Sequence, residues 1–72
     1  MNLEAMRSLL RARPFRSFEL ITSAGETHLV PHPEFTALTK SQIVIVTPDS
    51  EDMSIVPLLH ITEARFISTA EA

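Results

Sequence analysis

The chain has 72 residues and no cysteine, a length that allows one domain and a composition that excludes disulfides and cysteine-held metals. Its apolar fraction of 44% and net charge of −3 suit a packed globular core rather than a disordered segment. No stretch approaches the ~18 consecutive apolar residues of a membrane span, and the first residues lack a charged-then-apolar signal pattern, so a cytoplasmic location is expected.

The charge is unevenly placed. Residues 1–16 hold Arg7, Arg11, Arg13 and Arg16 against Glu4, whereas residues 17–72 hold Lys40 and Arg65 against eight acids. A basic amino-terminal segment on an acidic body is a candidate contact for phosphates or another polyanion. Arginines near a helix C-terminus also complement the helix dipole, which is the structural explanation for the same residues.

Residues 2–13 read as a helix. Asn2 is a good N-cap, and Glu4 stands in the first turn, where the dipole favours an acid. Leu3, Met6, Leu9 and Leu10 fall within roughly 120° of arc, one stripe for a core. Pro14 disfavours helical geometry at Arg13 and should end the helix there.

The first strand is expected over residues 15–22, followed by a turn over 23–26 and a return strand over 27–30. Gly25 is the single glycine of the chain, and a positive φ is the reason to place it in that turn. Pro31, His32, Pro33, Glu34 and Phe35 then make a corner, because each proline lacks a donor and restricts its predecessor. Residues 36–40 form a short piece with Leu38 inward.

The chain is organised around residues 41–47. Ile43, Val44, Ile45 and Val46 stand in a row with no turn former among them, which predicts a central strand buried on both faces. An acidic loop with Asp49, Glu51 and Asp52 follows, read as solvated. A fourth strand over 54–59 is interrupted by Pro57, the mark of an edge or a bulge. A corner at 59–62 leads to a last strand over 64–68, and residues 69–72 should fray. The expected core is Leu9, Phe18, Leu20, Leu29, Phe35, Ile43, Ile45, Leu58, Ile61 and Phe66. The fold class that follows is mainly β: a helix and then a strongly bent five-stranded antiparallel barrel, Sm-like or SH3-like, in one domain.

Two resemblances attach to these residues. Leu10-Arg-Ala-Arg-Pro-Phe-Arg-Ser-Phe-Glu-Leu20, Ser23-Ala-Gly25 and Val30-Pro-His-Pro-Glu34, with a closing Leu58-Leu-His-Ile61, are similar to a family of small bacterial proteins that has no established activity to lend. The Arg11 and Arg13 helix end, the Ala24-Gly25 turn, the Ile43–Val46 strand and Leu59-His-Ile-Thr62 resemble the bacterial Sm-like RNA chaperones. That second resemblance implies bent strands, assembly into rings and RNA as a partner.

No constellation of residues reads as catalytic. A Gly-x-Ser-x-Gly turn and a phosphate-cradling glycine loop are both impossible with one glycine. A domain of this size should also enclose no pocket of ~300 Å³ or more by itself. His28, His32, His60 and Glu34 offer nitrogen and oxygen ligands, but their spacing matches no zinc signature. No cofactor or metal is therefore expected, and the chain reads as non-enzymatic. Arg7, Arg11, Arg13 and Arg16 are the candidate contacts for RNA phosphates. The competing reading is a protein-interaction or structural module that binds no nucleic acid. Small domains without staples gain stability by oligomerising. A homo-oligomer is expected, built by pairing the strand that carries Ile55, Val56 and Leu58 with the strand that carries Arg65 and Ile67 in the next subunit.

Overall fold

The computed structural model describes residues 1–67; Ser68 of the expected last strand and the tail expected to fray lie outside them. One helix, α1 (Leu3–Arg11), precedes six strands: β1 (Phe18–Thr22), β2 (Thr27–Val30), β3 (Thr36–Leu38), β4 (Gln42–Val46), β5 (Met53–Pro57) and β6 (Ile61–Phe66). Single 3₁₀ turns at Pro33–Phe35 and Leu58–His60 lead into β3 and β6. No helix among the described residues is long and apolar enough to cross a membrane.

The strands form two antiparallel sheets of three, ordered β2-β1-β6 and β3-β4-β5. This is a mainly β fold, as expected, but the five-stranded closed barrel is not what forms. The break lies at Pro31–Phe35. The prolines, which cannot donate, and a 3₁₀ turn make the expected corner there, and the short piece beyond it forms a sixth strand, β3. The segments on either side pair in different sheets, β2 with β1 and β3 with β4.

The helix begins at the expected cap, where the Asn2 side chain accepts from the Ala5 N–H at 2.7 Å. It ends two residues before the expected Arg13, because Ala12 is already extended at φ −60°, ψ 141°. Met6 is the one helix residue fully buried, with Leu3, Leu9 and Leu10 packed against the core. The Met1 amino group donates to the carbonyls of Leu58 and Ile61 at 2.9 and 3.0 Å, which holds the start of the helix to the second 3₁₀ turn.

The core lies between the sheets. It comprises Met6, Phe18, Leu20, Val30, Ile43, Ile45, Val56, Leu58 and Ile61. Leu29 and Phe66, expected inside, stand outside, 54% and 45% exposed. For Leu29 the cause is strand parity. Phe18 pairs with Val30 and Leu20 with His28, so Val30 and His28 share the inner face and Leu29 is turned outward. Phe66 pairs with Phe18 at the end of the sheet, where the Arg16 guanidinium covers its ring at 4.0 Å. The central strand is buried on one face only: Ile43 and Ile45 point inward, Val44 is half-buried and Val46 is exposed.

Candidate functional site

The hydrogen-bond phase of each outer strand decides which main-chain groups are free. The Thr22 N–H donates to the Glu26 carbonyl at 2.9 Å. Bonded pairs alternate along an antiparallel ladder, so His28 and Val30 bond β1 and the main chains of Thr27 and Leu29 face away from it. In β5, the Thr47 N–H donates to Asp52 at 3.1 Å and the Leu58 N–H to Ser41 at 2.8 Å. On the same register Ser54 and Val56 bond β4, leaving Met53, Ile55 and Pro57 directed outward. Pro57 thus stands where a missing donor costs no ladder bond. In β6, the Ile67 N–H donates to Ser17 at 3.0 Å, so Ala64 and Phe66 carry the free groups.

Between the sheets runs a groove with two lobes, each of about 450 Å³, that share His28 and Ser54. One lobe lies between the β1–β2 turn and Ser54–Pro57, with His60 at its end. The other lies between the outer edge of β2 and the turn that joins β4 to β5, from Val46 to Asp49. Both lobes are open to solvent rather than enclosed, because the sheets do not close on each other. The His28 Nε2 sits 4.0 Å from Glu26 Oε1. His32 instead packs beside the Phe35 ring, 5.8 Å between centroids, so the three histidines do not converge. Among the described residues no three His, Asp or Glu side chains are placed to hold a metal ion.

The four arginines stand in different settings. Arg7 is held by Glu4 one turn back at 2.6 Å, and Arg16 lies over Phe66. Arg11 and Arg13 are exposed and make no ion pair among the described residues. Arg7 and Arg11 do line a shallow depression of about 340 Å³ with Pro33, Thr36 and Leu38.

The expected interface residues also separate. Val56 and Leu58 are core residues, 5% and 4% exposed, so their side chains are committed inside the subunit. Arg65 is engaged by Glu63 at 3.5 Å and lies 3.9 Å from Glu19, and Ile67 is half-buried. Ile55 is 55% exposed and does face outward. Its company is what the sequence did not reveal. Ile55 pairs with Val44 and Met53 with Val46, and Ala37 pairs with Val44, so these side chains share the outer face of the second sheet. The signal was present in apolar residues at both parities of β4 and β5.

The fold and these edges define a mainly β domain of two three-stranded sheets with an open groove and an apolar outer face. Comparison of the chain with protein-family models, curated proteins and solved structures finds no match.

Proposed function

We propose that this protein is a non-enzymatic binding module that works as a homo-oligomer joined through β5. The observation that carries the reading is β5 itself. Among the described residues its outer edge is unpaired, and its outward side chains, Met53 and Ile55, are 61% and 55% exposed beside Val44 and Val46. An apolar, unpaired edge of this kind is a template for another strand. The free groups of β6, at Ala64 and Phe66, offer the matching edge in a second copy, and a β5-to-β6 contact is heterologous, closing into a ring where the rotation permits. The Sm-like reading of the fold draws support from strand order. With β2 and β3 taken as one interrupted strand, the order becomes β6-β1-β2 continued by β3-β4-β5.

Light scattering at micromolar concentration tests this. The expected mass is a multiple of 8.0 kDa, and Ile55→Lys should reduce it to one chain with an unchanged circular dichroism spectrum. A wild-type mass of one chain at every concentration would overturn the proposal.

A second reading, contact with RNA phosphates, rests on Arg11 and Arg13, which are exposed without an ion pair among the described residues. In this reading the oligomer multiplies two guanidinium groups by its copy number. Replacing both with alanine should lower the slope of log affinity against log salt by ~0.7 for each phosphate no longer neutralised. Absence of salt-dependent RNA binding in the wild type leaves the protein-interaction module as the function.

A further inference from the structure

We propose that the groove along the outer edge of β2 is a docking site for an extended peptide segment that carries a basic side chain. The lobe shares Ser54 of β5 with its neighbour, but the docking contacts are those of β2 and do not require assembly through β5.

The free main-chain groups of Thr27 and Leu29 open into the second lobe of the groove, whose opposite wall is Val46, Thr47, Pro48 and Asp49. Three consecutive residues of β2, Thr27, His28 and Leu29, line it. Side chains alternate between faces along a strand, so a strand that lines a groove with consecutive residues presents its edge to the groove. An added strand lies ~4.8 Å from its neighbour and binds by main-chain hydrogen bonds, with alternate side chains read by pockets. The lobe, at about 450 Å³, is within the ~300–1,000 Å³ span of ligand sites.

Within β2 there is neither proline nor lysine, and its exposed side chains are Thr27 and Leu29. Leu29, Pro31 and Val46 supply apolar lining and Asp49 is the acid of this lobe, while Glu26 lines the neighbouring one. Among the described residues no lysine or arginine lines either lobe. The electrostatic complement of that lining is a segment with an arginine or lysine flanked by apolar residues.

The test titrates the ¹⁵N-labelled protein with an acetylated, amidated peptide Thr-Val-Arg-Val-Thr-Val, with the same peptide N-methylated at alternate residues, and with glutamate in place of arginine. The arginine peptide should shift amide resonances of residues 27–30 and 46–49 and slow hydrogen exchange at Thr27 and Leu29 by roughly tenfold or more. N-methylation should abolish binding, and the glutamate peptide should bind several-fold more weakly. Asp49→Lys, in an exposed turn, should remove the preference for arginine over glutamate. Leu29→Pro removes an outward donor that β1 does not use. It should weaken binding while the remaining resonances keep their positions; if that variant unfolds, the N-methylated peptide still decides. Equal binding of the N-methylated peptide, shifts confined to other elements, or no shifts at millimolar peptide would each overturn the proposal.

Discussion

Gly25 adopts φ +84°, and an added Cβ would meet nothing within 4 Å. The cost of a side chain there is therefore backbone strain alone, without collision. Gly25→Ala should lower stability by about 1–2 kcal/mol in urea unfolding, and Gly25→Asn should cost less, since asparagine tolerates the left-handed region better. Ile45 presents the opposite case. It is 5% exposed in the core between the sheets, so Ile45→Ala should cost about 2–5 kcal/mol through lost transfer energy and a residual cavity. A loss under about 1 kcal/mol in the same assay would show that the core collapses around the site. Both residues could be singled out from the sequence, one as the lone glycine in a polar turn and the other as the middle of an apolar run.

At the scale of elements, strand parity is the property that matters most. Val56 and Ile55 are neighbours in β5 with similar hydrophobicity, yet one is 5% exposed and the other 55%. Val56→Lys buries a charge without a partner and should abolish the cooperative thermal transition. Ile55→Lys places its ammonium in solvent and should leave the transition within a few degrees of wild type once self-association is accounted for. The helix makes a similar point about its cap. Asn2→Ala removes the acceptor of the Ala5 N–H and should cost about 1 kcal/mol, readable as a lower urea midpoint. Parity in β5 could not be read from Ser54-Ile-Val-Pro-Leu-Leu59, because apolar residues occupy both faces. In β1, where Phe18, Leu20 and Thr22 alternate with Glu19 and Ile21, it could.

At the scale of the whole molecule, a domain this small buries only ~60% of the surface its unfolded chain exposes. The core has nine residues, while Leu29, Val46, Met53, Ile55, Leu59 and Phe66 remain outside and large. The proposed assembly would cover part of this surface with a second copy, and the melting temperature should then rise with protein concentration, because association stabilises only the folded state. A melting temperature independent of concentration over two decades would argue for a monomer whose outer face serves another partner.

The sequence by itself determined the local elements: the Asn2-capped helix, the hairpin around Gly25, the apolar strand at Ile43–Val46 and the turns at the prolines. Each depends on residue chemistry acting over a few positions, through a cap, a positive φ, a missing donor or a run of β-branched side chains. Tertiary structure alone decided the rest. Whether the short piece after the Pro31–Phe35 corner is a strand depends on the partner it finds, and residues 36–38 found β4. Whether Leu29 or Val30 points inward depends on register against β1. The groove exists because the sheets do not close, and its walls come from residues some twenty positions apart, Thr27–Leu29 and Val46–Asp49. Pairing across such distances is set by the packing of the whole chain, and no local pattern encodes it.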